Sequence, residues 1–217
     1  MNELLIFDLD GTLIDSKRDL ADSVNAMRVY LGEPKLADET VYSYVGNGAP
    51  VLVRRALPGR DEAEIEQGLR FFLDYYRDHM LDATTLYPGV REALDQLLDA
   101  KVQMAVLTNK PVKFSEHLIH GLNLDGHFFR VYGGNSFEEK KPHPMGIELL
   151  MQESGIGREQ TIMVGDSAVD ILTARNAQVQ ACGVTWGFQP ETFLAAPPDF
   201  TIDQMSELVD RVTKAAA

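Results

Sequence analysis

The sequence predicts an α/β protein: a doubly wound, mainly parallel sheet with a helical subdomain inserted near its beginning. Three observations carry this expectation. Short apolar runs alternate with helical stretches through the C-terminal part of the chain, the pattern of buried parallel strands joined by crossover helices. The alternation stops between Ser16 and Thr85, where only helical periodicity is found. The polar residues with chemical potential gather where apolar runs end, which is where ligands bind in such sheets.

The elements follow in order. Residues 4–7 (LLIF) are apolar throughout, as a strand covered on both faces is. Residues 16–85 are far too long for a βα loop and read as an inserted helical cap, leaving 1–15 and 86–217 as the core. Within the cap, Leu20, Val24, Met27 and Leu31 form one helical stripe; Ile65, Leu69, Phe72, Tyr76 and Met80 form another. Turn signals at 32–34 (GEP), 46–48 (GNG) and 58–59 (PG) divide the segment. Its tethers, near Asp15 and near 84–87, are the expected hinges. Beyond them come a helix at 88–100, a strand at 104–107 and a helix at 111–120. A short apolar piece at 131–133 precedes a helix at 144–154, a strand at 161–164, a helix at 168–177 and a strand at 181–185. A weaker strand at 200–202 precedes a last helix carried by Met205, Leu208, Val209 and Val212.

Composition narrows the function. The 217 residues are 45% hydrophobic and 24% charged, ordinary for a globular chain. With 33 acidic against 20 basic residues the net charge is −13, which argues against nucleic acid as a partner. No apolar stretch approaches the ~20 residues of a membrane span, and MNELLIFDLD lacks the basic start of a signal peptide. A single cysteine, Cys182, excludes an internal disulfide. A cytoplasmic chain is expected, monomeric or homodimeric, acting on a small molecule. Five scattered histidines suggest no metal site.

The strand ends supply the chemistry. Asp8, Asp10, Gly11 and Thr12 follow the first strand, and Thr108 and Asn109 follow the second. Asp166, Ser167 and Asp170 follow the 161–164 run, and Lys141 lies in KKPHP. Asp8 and Asp166 brought together would repel unless a divalent cation lay between them, and Mg2+ suits such an all-oxygen set. The metal would turn an acidic mouth into a site for a phosphate dianion. Asp8 is the natural nucleophile, forming an aspartyl-phosphate. Asp10, two residues on, is placed to protonate the leaving group and then activate water. Gly11 permits a tight turn, Thr108 and Asn109 can donate to the phosphoryl oxygens, and Lys141 can offset their charge. Thr12 reads equally as a turn hydroxyl or a phosphate donor. Asn109 also reads as an N-cap before Pro111, and Asp170 as a helix cap or a support of the metal. In the cap, the GNG turn with Asn47, and Arg54 beyond it, read either as a solvated loop and helix face or as groups reaching the substrate's other end. Cys182, within an apolar strand, reads as a buried small hydrophobe.

FDLDGTLIDS, TN, KKPHP and GDSAVD, in this order, resemble the haloacid dehalogenase superfamily of phosphohydrolases, over essentially the whole chain. The resemblance implies a Rossmann-like core, a helical cap, and Mg2+ held by Asp8, the main-chain carbonyl of Asp10, and Asp166, with Asp170 in an outer supporting role. It makes Asp8 the nucleophile, Asp10 the acid/base, and Thr108 and Lys141 the phosphate-binding pair. VGNGAPVLVRRAL in the cap is most similar to phosphoglycolate phosphatases, which implies 2-phosphoglycolate as substrate. Val169, Gln178 and Asn135 depart from that pattern, leaving a phosphosugar mutase, another phosphatase or a nucleotidase as alternatives. A non-catalytic ligand-binding role would not require every catalytic group, yet all are present.

Overall fold

The computed structural model describes residues 3–214; the extreme ends of the expected core, 1–2 and 215–217, lie outside the described residues. In chain order the elements are β1 (Leu4–Phe7), β2 (Ile14–Asp15), α1 (Lys17–Tyr30), α2 (Asp38–Tyr42), α3 (Ala49–Ala56), α4 (Glu62–His79) and β3 (Thr85–Leu86). There follow α5 (Val90–Asp99), β4 (Gln103–Leu107), α6 (Val112–Gly121), β5 (Arg130–Tyr132), α7 (Met145–Ser154) and β6 (Thr161–Gly165). The chain closes with α8 (Ala168–Ala177), β7 (Gln180–Val184), β8 (Phe200–Ile202) and α9 (Met205–Lys214).

Six strands form one parallel sheet in the order β5-β4-β1-β6-β7-β8. This is the doubly wound Rossmann order, in which the chain winds outward from β1 in both directions. Side chains alternate across a strand, so β1 feeds both apolar layers. Leu4 and Ile6 pack with Ile147 and Leu150 of α7 and Ile171 of α8. Leu5 and Phe7 pack with Val90, Leu94 and Leu97 of α5, Leu208 of α9, and the cap. Cys182 is buried within β7, and burial pushes its thiol up to about 12.

The cap is helical, as its stripes predict. Leu20, Val24 and Met27 of α1 meet α4, whose Ile65, Phe72 and Tyr76 are buried, as is Met80 just after it. The two tethers differ from simple linkers: β2 and β3 pair antiparallel, with Ile14 opposite Leu86 and Asp15 opposite Thr85. Asp19, buried at the start of α1, accepts from the backbone N–H groups of Ala83 and Thr84 and from the Thr84 hydroxyl at 2.6 Å. One carboxylate thus ties the first helix of the cap to its exit.

One local expectation is corrected. Asn109 does not cap α6. Pro111 occupies the cap position without a side-chain bond, and the free N–H of Val112 is met by Asn135 Oδ1 at 2.9 Å. Asn109 is drawn elsewhere because its amide spans core and cap, as described below.

Candidate active site

Asp8 continues the line of β1: its N–H still donates to Val164 of β6 at 2.9 Å. Its Oδ1 accepts from the Leu9 N–H at 2.7 Å and pairs with Lys141 Nζ at 2.9 Å. The backbone then reverses through Gly11, at φ +81°, where the Gly11 N–H donates to the Ile14 carbonyl. A side chain there would be strained, and its Cβ would lie 2.2 Å from Asp166 Oδ2. The turn delivers Asp10 beside the cap tether. Ser16 Oγ donates to Asp10 Oδ1 at 2.5 Å, and Lys110 Nζ reaches both carboxylate oxygens at 3.0 and 2.9 Å.

Asp166 leaves the end of β6 and accepts from the Phe188 N–H at 2.6 Å. Gly187 also lies against it, where a Cβ would meet Asp166 Cβ at 2.2 Å. Asp170, in the first turn of α8, accepts from both the N–H and the hydroxyl of Ser167 and from Lys141 Nζ at 2.6 Å. It therefore both caps its helix and anchors the lysine.

Carboxylate oxygens of Asp8, Asp166 and Asp170 lie within 4.8 Å of one another. Lys141 is the cation among them. Burial opposes its charge, but Asp170 and Asp8 more than compensate and hold it protonated. One ammonium does not balance three carboxylates. Burial, then Asp170, pushes Asp8 up to about 6 despite Lys141; burial, then Asp170 and Asp8, raises Asp166 well above the usual carboxylate range. This is an acidic cluster short of positive charge and built of hard oxygen donors, which fits a divalent cation.

Above it lies a cleft between core and cap enclosing about 650 Å³, part of it open to solvent. Asp8, Asp10, Thr108, Asn109 and Asp166 line its core side; Leu20, Val45, Leu52, Phe72 and Tyr76 line its cap side. Core side chains clasp the cap loop: Asn109 Nδ2 donates to Gly46 O at 3.2 Å, and Gln189 Nε2 to Val45 O at 3.1 Å. Lys140 Nζ donates to Asn47 O at 2.8 Å.

The candidates read from the sequence separate clearly. Asp8, Asp10, Thr108, Asn109 and Asp166 converge on the cleft, with Lys141 and Asp170 in contact with Asp8's side of the cluster. Thr12 is buried, its hydroxyl has no partner among the described residues, and it does not line the cleft. Gly46 and Gly48 line the cleft, but Asn47 between them does not; its carbonyl receives Lys140. Arg54 is not brought to the cleft. Ala49, Leu52, Val53 and Ala56 take the buried face of α3, leaving Arg54 outside, in a two-pronged pair with Glu62 at 2.5 and 2.8 Å. The Asp10 carboxylate is engaged by Lys110 and Ser16 and stands apart from the three clustered acids.

Sequence reasoning missed Lys110, Ser16, Gly187 and Gln189. Lys110 is the most consequential, since it is buried and touches Asp10 and the face of Tyr76, 4.5 Å from its ring centre. Its place directly after Thr108 and Asn109 was the available signal.

Residues 5–184 match the family Haloacid dehalogenase-like hydrolase. A phosphoglycolate phosphatase of Chromobacterium violaceum is 41% identical over 209 residues, covering 94% of this chain and 93% of that protein. One from Vibrio parahaemolyticus is 39% identical, covering 99% and 97%. The crystal structure of a predicted phosphoglycolate phosphatase from Haemophilus somnus superposes with a TM-score of 0.92 at 32% identity, covering 97% of each chain. The chain belongs to the haloacid dehalogenase-like hydrolases. Within that class it is an enzyme, a phosphoric monoester hydrolase. Among the described residues no helix is long and apolar enough to cross a membrane.

Proposed function

We propose that the chain is a magnesium-dependent phosphatase hydrolysing 2-phosphoglycolate through an aspartyl-phosphate on Asp8. The observation that carries this reading is the meeting of Asp8, at the end of the central strand, with a charge-deficient acid cluster on one side and Asp10 on the other. Asp8 and Asp166, with the Asp10 carbonyl and Asp170 in support, would hold Mg2+, which when bound supplies the positive charge that draws in a phosphate dianion.

The protein groups then divide the work. The Asp8 carboxylate attacks phosphorus while Asp10 gives a proton to the departing alcohol oxygen, and Asp10 later takes one from the water that cleaves the phosphoenzyme. Thr108 faces the transferring group, and Lys141 offsets charge next to Asp8. The closed cap excludes bulk water. The names of the relatives support 2-phosphoglycolate, and the largely apolar cap wall offers little to hydroxyl-rich sugars. A cytoplasmic monomer or homodimer is part of this reading.

Phosphate release from 2-phosphoglycolate, sugar phosphates and nucleotides, each with and without magnesium, tests it. A tenfold or greater preference for 2-phosphoglycolate, about 1.4 kcal/mol of transition-state discrimination, lost on chelation, is the expected result. Turnover that survives thorough chelation, or persists in Asp8→Asn, would overturn it.

A further inference from the structure

We propose that Lys110 and Tyr76 form the receptor for a carboxylate at the non-phosphate end of the substrate. The inference rests on the phosphatase reading and deepens it, assigning specificity to two residues that make and break no bond themselves, although Lys110 also holds Asp10.

Lys110 is the one cation among the residues lining the cleft. Its Nζ contacts both oxygens of Asp10 and interacts with the Tyr76 hydroxyl oxygen. The face of Tyr76, from cap helix α4, lies 4.5 Å away, an arrangement that holds the charge in place. Tyr76 lines the cleft, is buried, and its hydroxyl proton has no acceptor among the described residues. A buried hydroxyl left without an acceptor is costly. The positive charge of Lys110 and the unclaimed phenol proton of Tyr76, from core and cap, thus favour one anion between them.

Bond geometry fixes where that anion lies. In 2-phosphoglycolate a single CH2 separates the bridging oxygen from the carboxylate. The group that protonates the oxygen and the group that holds the carboxylate must therefore be neighbours. Lys110 sits 2.9 Å from Asp10, the residue assigned to that oxygen. The apolar side chains that line the cleft with it, among them Leu52, Phe72 and Phe114, carry no donor. Because Lys110 belongs to the core and Tyr76 to the cap, a bound carboxylate bridges the two and favours the closed form only for substrates that carry it.

The test compares 2-phosphoglycolate with 2-hydroxyethyl phosphate, which has the same reacting end and a neutral tail. For the wild-type enzyme kcat/KM is expected to favour the carboxylate. In Lys110→Met that preference should fall on the order of a hundredfold, and in Tyr76→Phe about tenfold, mostly through KM. Any loss that comes through Asp10 falls on both esters alike, so the ratio between them is the readout; Tyr76→Phe should leave the neutral ester nearly unchanged, and Lys110→Arg should restore part of the preference. Equal losses on both esters in Lys110→Met, with the preference intact in Tyr76→Phe, would overturn the assignment while leaving the substrate reading in place. A wild-type enzyme that hydrolyses both esters equally well would overturn the receptor and 2-phosphoglycolate together, but not the phosphatase.

Discussion

Asp166 has room only because two neighbours lack a side chain. Gly11 and Gly187 both approach it more closely than any Cβ allows. Gly11→Ala is therefore expected to displace Asp166, costing about 1–3 kcal/mol by overpacking and more through its positive φ. Magnesium affinity measured by calorimetry should drop with it. The charges here also set a pH dependence. Asp8 and Asp166 titrate higher in the folded chain than the usual 3.8, so the folded state binds more protons than the unfolded one. The contribution of Asp8 to stability is full below that value and is lost as pH rises through about 6, and Asp166 acts in the same direction. A divalent cation that binds only their ionised forms reverses the loss. The gain in Tm on adding magnesium should be larger at pH 8 than at pH 5; equal gains would remove these carboxylates as ligands. At this scale the sequence was legible where a motif holds its partners close, as in Asp8 and Asp10. It was opaque for Lys110, whose partner Asp10 lies 100 residues away and whose aromatic neighbour belongs to the cap. Arg54 stayed open between a solvated face and the substrate, because a residue's presence on a helix near the site does not say which face it takes.

Among the elements, the Asp19 tie is the most exposed to a single change. Asp19→Ala would leave the N–H and hydroxyl of buried Thr84, and the N–H of Ala83, without their acceptor. A loss of about 1–3 kcal/mol is expected in urea unfolding, with Asp19→Asn recovering part of it. The long elements were readable: strands such as β1, β4 and β6 are built on short apolar runs, and α1 and α4 carry unbroken stripes. β2 and β3 were not, since two residues are too few to show a period. Their pairing comes from where the cap's ends are brought, a tertiary fact. The start of α6 was misread for a related reason, because its capping side chain, Asn135, lies 23 residues downstream.

For the whole molecule, closure of the cap depends on a few side chains reaching from the core to carbonyls of residues 43–47. Gln189→Ala removes the donations to Ser43 and Val45. It is expected to raise KM several-fold and to speed hydrogen exchange in the cap loop, with little change in Tm, because Gln189 packs at the surface of the joint. An unchanged KM would show that the substrate alone draws the cap down.

The paired tethers carry a last consequence. Since Ile14 lies opposite Leu86, the inserted helices leave and rejoin the sheet at one point. A segment of another length could be grafted at that point without moving any strand of the sheet, so one reactive centre could serve leaving groups of other shapes simply by exchanging its roof.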